Sequence, residues 1–535
     1  MGDSTDKYYS LRVVLLALLL GVAMGLLFAP RSGLLRGGAR QVDGWDAKLH
    51  SAMGLVEDEY VDKLNADSVS TLMMDAIMKS LDPHSRYISA EDLQREMSDI
   101  RGNFEGIGAT LRSDADTVYV SQTLPGSPAR RAGLRTGDRI ICVDGEPVSG
   151  VKMPIEDVIK RIRGPHGVNV SLGIIHYADS VLEQMVVGRD VIPTNSVSYS
   201  GMLKDTIGYV RLTRFSETSY DEVFSAMTHL RGQGMRALIL DLRDNGGGLL
   251  DAAIRIANEF LSRGDLIVYT QGEHQRRKDV KADGRGRFQD ISLTVMLDEF
   301  SASASEVVSG AIQDNDRGLI AGRRSFGKGL VQRQFDFSDG SAVWLTVARY
   351  YTPSGRCIQR PYDKGTDEYY SEFLQQVLSE ASADSTLVNL TDSTRYYTVQ
   401  GRVVYGGGGI YPDYLLPYHR DSLIAYYNQL VNRRILDRVA FEKVARESQL
   451  LIDQYPEEKS FVSRFQVSES MRESVISSGR KAGIEPDSEA LAKYGRHIDT
   501  LLKAYMAEYL YGFEAFYAVY TTIDVDLQSV LEIVH

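Results

Sequence analysis

Cysteine is scarce in this sequence, with Cys142 and Cys357 as its two thiols among 535 residues. Two thiols cannot supply a disulfide framework, and their separation fits no zinc-ligand spacing, so no metal site is expected. Basic residues are outnumbered, 60 against 72, which gives a formal net charge of −12 without any long basic run. Nucleic-acid binding is therefore not expected. Internal repeats are also lacking, and the length predicts several distinct domains.

Long apolar runs are lacking as well, except for one close to the N-terminus. Residues 13–29 are uncharged and mostly apolar, a length that is short for a membrane helix and slightly long for the core of a signal peptide. A small-x-small cleavage site does not follow Phe28. We predict an uncleaved signal anchor that attaches the chain to a membrane, with a cleaved signal peptide as the second interpretation.

Histidine motifs of serine hydrolases are absent, and no Gly-x-Ser-x-Gly elbow surrounds any candidate serine. Ser303 nevertheless lies where a nucleophile is plausible on physical grounds. Residues 292–297 predict a buried strand, and the apolar positions from Val307 to Ile312 predict a helix. A serine at such a turn lies beside free helix N-terminal amides, which favour developing negative charge. The alternative is a plain capping box, in which Ser303 and Glu306 only cap the helix.

A lysine flanked by glycines follows a short apolar strand, at Gly327-Lys328-Gly329. The surrounding Gly-x4-Gly-Lys fits a phosphate loop, but that loop needs Ser or Thr next to hold magnesium, and Gly329 stands there. Nucleotide binding is therefore not expected. Burial disfavours an ammonium group, so a buried Lys328 is a candidate base for a serine. The alternative is a surface lysine on a turn.

These residues resemble the carboxy-terminal processing peptidases, or tail-specific proteases, of bacterial type. The resemblance rests on Ser-Ala-Ser-Glu at Ser303–Glu306, Gln-Asp at Gln313–Asp314 and Phe-Gly-Lys-Gly-x-Val-Gln at Phe326–Gln332. It implies that Ser303 is the nucleophile, that Lys328 is the base and that Gln332 orients the lysine. On a strand, Lys328 and Gln332 share a face because their spacing is even. Asp314 matches an acidic position of the family pattern near the site.

A glycine loop follows another predicted strand, at Asp-Leu-Arg-Asp-Asn-Gly-Gly-Gly between Asp241 and Gly248. Bare amides at a helix start suit an oxyanion hole, although tight-turn packing alone also explains the glycines. The family resemblance pairs one glycine amide, of Gly247 or Gly248, with the amide of Ala304. Gly246 stands where the family often has proline.

Residues 100–188 resemble a PDZ domain. Ser127–Ile140 matches its core pattern, and Phe-Glu-Gly-Ile-Gly at Phe104–Gly108 resembles the carboxylate-binding loop. Such a loop captures a terminal carboxylate with backbone N–H groups, while the peptide adds as a strand. The predicted peptide contacts are Gly106, Ile107 and Gly108. Ile155–Ile162 is predicted as the helix beside the peptide groove.

The N-terminal part is predicted to be helical between residues 45 and 100, with a second helix at Ser70–Ser80. The family signature Ser-Leu-Asp-Pro-His-Ser-x-Tyr follows at Ser80–Tyr87. His84 is interpreted as a turn histidine after Asp-Pro rather than as a base. Residues 417–535 show helical spacing and no interpretable motif, so they are either an accessory bundle or an extension that binds an adaptor or a second copy.

The predicted fold class is therefore α/β and multidomain, with a crotonase-like ββα serine-protease core. The predicted parts are a tail and anchor at 1–40, a helical cap at 41–99, the PDZ domain at 100–188, the protease core at 189–416 with a polar insert at 361–400, and a helical extension at 417–535.

The predicted function is that of an exported serine endopeptidase which recognises substrate C-termini and needs no cofactor. We expect it at the cell envelope, anchored in the inner membrane and facing the periplasm, or secreted to the periplasm if the signal is cleaved. The alternative is a PDZ scaffold, or a latent protease that needs an activating partner.

Overall fold

The computed structural model describes residues 44–177, 179–382, 394–418, 421 and 423–534. The predicted apolar run at residues 13–29 lies outside them. Within these ranges, no helix combines the length and the apolar character needed to cross a membrane. The chain divides into two units, which meet in sequence at Leu72 and Met73.

The first described elements are helical, as predicted, and they lead into a short strand. They are α1 (Trp45–Glu59), α2 (Ala66–Leu81), β1 (Arg86–Ile88) and α3 (Ala90–Arg101). Ser89 caps α3 by accepting the Asp92 amide on its hydroxyl, and Gly102 ends the helix with a left-handed φ of 72°. Both ends follow ordinary capping preferences.

The next region is a small sheet closed by two short helices. Its elements are β2 (Asn103–Gly106), β3 (Ala109–Asp114), β4 (Thr117–Thr123), α4 (Pro128–Arg131), β5 (Arg139–Val143), β6 (Glu146–Pro147), α5 (Ile155–Ile162), β7 (Asn169–Ile175), β8 (Glu183–Gly188) and β9 (Asp190–Pro193). The sheet order is β3-β4-β5-β7-β8 with β6 on β5, and β2 pairs with β9. Helix α5 has the predicted bounds and buries Val158 and Ile162 in this region's own core.

The central region contains a six-stranded sheet in the order β10-β11-β12-β15-β16-β21. Its elements begin with β10 (Val197–Lys204), β11 (Ile207–Leu212), α6 (Ser219–Gly232), β12 (Ala237–Asp241), α7 (Leu250–Asn258), β13 (Leu266–Gly272), β14 (Gln275–Lys281), β15 (Ser292–Leu297), α8 (Ala304–Asp314) and β16 (Leu319–Gly322). From β11 to β21 the strands run parallel. Every residue of β12 is buried, as expected for a parallel strand covered on both faces.

A second sheet packs beside the first and is antiparallel. It is completed by β17 (Leu330–Asp336) and β18 (Ala342–Tyr351), which form the predicted hairpin. The sheet order is β1-β18-β13-β14, with β17 also paired to β18. Strand β1, which lies in the second unit, therefore joins the sheet that follows Lys328. The remaining elements before the extension are α9 (Thr366–Ser382), β19 (Arg395–Tyr397), β20 (Val403–Tyr405) and β21 (Tyr414–Leu415).

The C-terminal region is helical, as predicted. Its elements are α10 (Ile424–Asn432), α11 (Ile435–Gln454), α12 (Glu458–Arg464), α13 (Glu469–Lys481), α14 (Ser488–Tyr511), α15 (Phe513–Tyr520) and α16 (Val525–Leu531). Helix α16 packs its apolar residues on one face of the six-stranded sheet. The Asp524 carboxylate, just before α16, makes two hydrogen bonds of 3.1 and 2.7 Å with the Arg243 guanidinium.

The same extension is hydrogen-bonded to the small sheet. The Gln122 side chain donates to the Glu508 carbonyl at 2.8 Å, and the Thr136 hydroxyl donates to the Tyr509 carbonyl at 3.2 Å. The extension therefore contacts both the small sheet and the central region, and it is an integral part of the second unit.

Candidate active site

One cavity of about 510 Å³ is lined by predicted site residues that lie far apart in the sequence. It is lined by all six residues of the predicted catalytic and oxyanion set, Ser303, Lys328, Gln332, Gly247, Gly248 and Ala304. They come from the loop after β12, the start of α8, and the loop and strand that follow β16. The parallel order β12-β15-β16 brings these segments together at the carboxyl ends of adjacent strands.

Ser303 occupies a strained turn between β15 and α8. Its backbone has φ 57° and ψ −112°, a conformation that costs a non-glycine residue about 1–3 kcal/mol. The predicted capping box is present, and in it the Glu306 side chain accepts the Ser303 amide at 2.7 Å. The Glu306 amide also donates to the Ser303 carbonyl at 2.9 Å. Ser303 therefore begins the helix and lines the cavity as well.

The Glu306 carboxylate joins the two loops of the site. It accepts the amides of Ser303 (2.7 Å), Gly327 (2.7 Å) and Lys328 (2.9 Å) and the hydroxyl of Ser325 (2.6 Å). The side chain is fully buried, and burial raises the pKa of Glu306 to about 7 against the opposing effect of these hydrogen bonds. Sequence reasoning assigned this residue only a capping role. The Ser-x-x-Glu spacing was visible, but the bonds to residues 325–328 were not.

Lys328 lies in the loop between β16 and β17. Burial lowers the pKa of Lys328 below its ordinary value, and the charge of Arg86 lowers it further, whereas Glu306 and Asp82 oppose the shift. A lysine of this kind reaches its neutral form more readily than an exposed one does. Lys328 is half-buried and lines the cavity, so it differs from a lysine exposed on an open turn.

The predicted reason for Lys328 and Gln332 to share a face is also wrong. Strand β17 begins only at Leu330, so Lys328 precedes the strand and alternation does not govern it. Both side chains still line the same cavity. The Tyr350 hydroxyl helps to fix this loop, since it donates to the carbonyls of Ser303 (3.1 Å) and Lys328.

The glycine loop packs directly against the turn of Ser303. A Cβ atom on Gly247 would lie 2.7 Å from the Ser303 Cβ and 2.8 Å from the Ala302 carbonyl oxygen. The Gly247 amide donates to the Asn245 side chain at 2.9 Å, and the Asn245 carbonyl accepts the Ala302 amide at 3.0 Å. Gly248 bridges to Phe215 on the other side of the loop. Asn245 therefore fastens the loop to the serine turn.

Two further residues from the sequence patterns differ in their relation to the site. His84 lies near Lys328, donates or accepts a 3.2 Å hydrogen bond with the Tyr369 hydroxyl, and has its pKa lowered to about 3, first by burial and then by Lys328. Its amide bonds to the Asp82 side chain, which confirms the predicted turn. Asp314 is not near the site: it ends α8, roughly 15 Å from Ser303, and pairs with buried Arg356 at 2.8 Å.

The predicted peptide-binding loop lies apart from this cavity, on the small sheet. Its residues Gly106, Ile107 and Gly108 are buried, and Gly108 has φ 72°. The carbonyls of Ile107 and Gly108 accept the amides of Ala129 and Leu124, each at 2.9 Å. These bonds fix the loop backbone against the start of α4.

Metal ligands do not cluster in the part of the chain that the structure describes: no group there of three or more His, Cys, Asp or Glu side chains could hold an ion.

Comparison with protein families places known domains on these regions. Residues 206–367 match the model of peptidase family S41, and residues 119–175 match the PDZ domain model. Residues 426–512, within the helical extension, match a family of unknown function, DUF8443. The predicted multidomain α/β fold, with a PDZ domain and helical segments at both ends, is thereby confirmed.

Three individual proteins are among those to which this chain is similar. A probable CtpA-like serine protease of Staphylococcus haemolyticus (strain JCSC1435) is 32% identical over 313 residues, which are 58% of this chain and 62% of the relative. A solved photosystem II D1 C-terminal processing protease is 29% identical, over 69% of this chain and 87% of the other, with a TM-score of 0.36. A peptide-bound PDZ domain of a carboxy-terminal protease from Vibrio cholerae is 35% identical over 17% of this chain and 97% of the other, with a TM-score of 0.16.

The family match covers β11 to the start of α9, which is the region that contains Ser303, Lys328, Gln332 and the glycine loop. The PDZ match covers the small sheet from β4 to β7. The chain thus contains a region similar to peptidase family S41, preceded by a region that matches the PDZ domain model, and it spans 62% of the length of the curated relative from Staphylococcus haemolyticus.

Proposed function

We propose that this chain is a serine endopeptidase in which Ser303 and Lys328 carry the reaction. The observation that carries the proposal is their arrangement. Both residues line one cavity, and both backbone amides donate to the buried carboxylate of Glu306. The strain at Ser303 and the lowered pKa of Lys328 are the features expected of a nucleophile and its base.

In the proposed reaction, the neutral Lys328 amine takes the hydroxyl proton as the Ser303 Oγ bonds to the scissile carbonyl carbon. The carbonyl electron pair moves onto oxygen and then returns as the carbon–nitrogen bond breaks. The Lys328 ammonium gives its proton to the leaving amine. Water then hydrolyses the acyl-serine ester by the same sequence of proton transfers. Gln332 is proposed to orient Lys328 during these steps.

The oxyanion donors are proposed to be the amides of Ala304 and Gly248. Ala304 opens α8, where helix N-terminal amides favour negative charge. Of the two candidate glycines, Gly247 already donates its amide to the Asn245 side chain. Gly248 therefore suits the role better, and Gly247 is proposed to serve as a packing surface for the serine turn.

Replacing Gly247 by alanine is expected to reduce kcat/KM on the order of 100-fold, because the added methyl displaces the Ser303 turn and an ångström-scale misplacement has effects of that size. Gly246→Ala is the matched control in the same loop, since a Cβ there meets nothing within 4 Å. Its activity is expected to stay within about twofold of the parent. Steady-state cleavage of a peptide checks both, and equal activities would contradict the proposed packing role.

Substrates are proposed to be exported proteins recognised by their C-termini. The PDZ domain supports this, because such loops bind terminal carboxylates through backbone amides. The proposed contacts are Gly106, Ile107 and Gly108. The location at the cell envelope, with residues 13–29 as anchor or signal, rests on the apolar sequence of that run.

The test is cleavage of an unfolded protein by the full chain, with Ser303→Ala as the control. Two versions of the substrate are used, one ending in apolar residues and one ending in two aspartates. Cleavage by the parent alone, faster for the apolar end, is the expected result. If neither protein cleaves while both bind the apolar tail peptide, the endopeptidase proposal fails and a scaffold is favoured.

A further inference from the structure

A chain of hydrogen bonds leads from Gln332 away from the cavity into the N-terminal segment. The Gln332 Nε2 donates to the Thr346 hydroxyl at 3.3 Å. The Thr346 hydroxyl in turn donates to the Asp82 carboxylate at 3.1 Å. Asp82 belongs to the Asp-Pro-His turn, for which the sequence suggested only a local structural role.

The fold explains how these three residues meet. Strand β1 pairs with β18, so the turn at Asp82, just before β1, lies beside Thr346. In the hairpin, the pairing of β17 with β18 shifts between Val331 and Gln332, and this shift places Thr346 opposite Gln332. Bulges of this kind re-aim side chains next to functional sites.

The Asp82 carboxylate is itself firmly held. It is 7% exposed and accepts the amides of His84 and Ser85, each at 2.8 Å, and the Ser85 hydroxyl at 2.5 Å. The Ser85 hydroxyl also accepts the Thr346 amide at 3.0 Å. The Asp82 carboxylate is therefore fixed by the turn, and Ser85 of the same turn is bonded to the backbone of Thr346.

The donor and acceptor properties of these groups decide which group donates in each of the two hydrogen bonds. A carboxylate only accepts, so the single hydroxyl hydrogen of Thr346 is committed to Asp82. The Thr346 oxygen must then accept from Gln332, which requires the NH₂ side of the carboxamide to face Thr346. The carboxamide oxygen is then the group of Gln332 that does not face Thr346, and both Gln332 and Lys328 line the cavity.

We propose that Asp82 is a positioning residue of the peptidase site, which acts through Thr346 to fix the orientation of the Gln332 amide toward Lys328. The inference rests on the proposed function and extends it, because it makes the N-terminal segment part of the machinery that orients the base. Without the carboxylate, the Thr346 hydroxyl is free to reverse, and the amide has no preferred orientation.

Thr346→Val is the sharpest variant, since it keeps the shape and the strand preference while removing the hydroxyl. It leaves the charged groups facing Lys328, which are Arg86, Asp82 and Glu306, and the His84 imidazole in place. We expect kcat for a peptide to fall about 10- to 100-fold, the range for losing a hydrogen bond to a catalytic group, with KM within about twofold. Thr346→Ser should restore most of the loss.

Two further readouts separate positioning from stability. The pH at which kcat is half-maximal should move downward in Thr346→Val, because an acceptor that favours the Lys328 ammonium is lost. In a Gln332→Ala background, Thr346→Val should have no further effect on kcat, since its action passes through Gln332. Asp82→Asn, whose amide retains one acceptor for the turn, should reduce kcat in the parent background and not in Gln332→Ala.

The inference is overturned if Thr346→Val keeps kcat within twofold of the parent, if Thr346→Ser is as impaired as Thr346→Val, or if the effects add in full to that of Gln332→Ala. Thermal unfolding of each variant shows whether a loss of kcat comes from misfolding. In that case the melting temperature falls, and the losses of kcat from Thr346→Val and Gln332→Ala are additive. A parent that does not cleave, or a Ser303→Ala variant that cleaves equally well, overturns the proposed function and this inference together.

Discussion

Replacement of Lys328 by methionine is expected to reduce kcat on the order of 10⁴-fold, since single members of a nucleophile–base pair carry effects of that size. Methionine matches the length and apolar stem of lysine but has no amine to accept the Ser303 proton. Lys328→Arg should be equally inactive, because a guanidinium stays protonated. Peptide hydrolysis under single-turnover conditions measures the chemical step. A Lys328→Met rate above a tenth of the parent's would contradict the assignment of the base.

The same assignment fixes the sign of the pH dependence. Lys328 acts as the neutral amine, so the rate should rise with pH through its pKa, which burial places below the ordinary lysine value of 10.5. Glu306, with a pKa of about 7, should add an inflection in the same direction, because its ionised form best accepts the four donors around it. His84, whose pKa is about 3, should contribute none between pH 5 and 9.

The Ser303→Ala variant is the control for the loss of kcat expected in Lys328→Met. The double variant Ser303→Ala/Lys328→Met should be no slower than either single variant, because the two residues act as one unit. Multiplying losses in the double variant would instead indicate that the two side chains serve independent steps.

Removal of the Glu306 carboxylate is expected to abolish activity and to destabilise the fold together. Glu306→Ala leaves three amides and one hydroxyl without their acceptor in a buried place. One or two unsatisfied buried donors already cost about 3 kcal/mol in unfolding free energy. The amides of Ser303 and Lys328 also lose the carboxylate that accepts both of them, so the turn and the loop are no longer joined through it. Urea unfolding and peptide hydrolysis measure the two effects.

Glu306→Gln is the matched variant, since it keeps the volume and one acceptor oxygen but turns the other into a donor. We expect it to be destabilised less than Glu306→Ala and to remain strongly impaired in kcat, because one pair of donors now faces an NH₂ group. An unchanged urea midpoint in Glu306→Ala, with normal kcat, would show that the two loops hold their positions without the carboxylate.

Much of the local structure could be predicted because short-range patterns decide it. The strands at 207–212 and 292–297 and the helix at Ile155–Ile162 have the predicted bounds. Each is marked by a local pattern of apolar residues. The six predicted residues of the catalytic and oxyanion set share one cavity. Five of them follow the ends of neighbouring parallel strands, and Gln332 lies in the antiparallel strand β17.

The failures arise where a residue's role depends on a distant partner. Ser303 and Glu306 form the capping box that their spacing predicts, but the Glu306 side chain also bonds to residues 325, 327 and 328, which the spacing does not indicate. The site of Asp314 was misplaced because an 11-residue helix separates it from Ser303. Neither the partners of Glu306 nor the separation of Asp314 from Ser303 can be predicted from a pattern of neighbouring residues.

By itself, the sequence determined the elements that carry the candidate nucleophile and base, because propensity and spacing act over a few residues. The resemblance to a known family supplied the order of the domains and the expected roles of Ser303 and Lys328. Tertiary structure decided the rest. It lowers the pKa of Lys328, occupies the Gly247 amide and connects Asp82 to Gln332 through Thr346. Burial and hydrogen-bond direction belong to the packed site, where residues hundreds of positions apart come into contact.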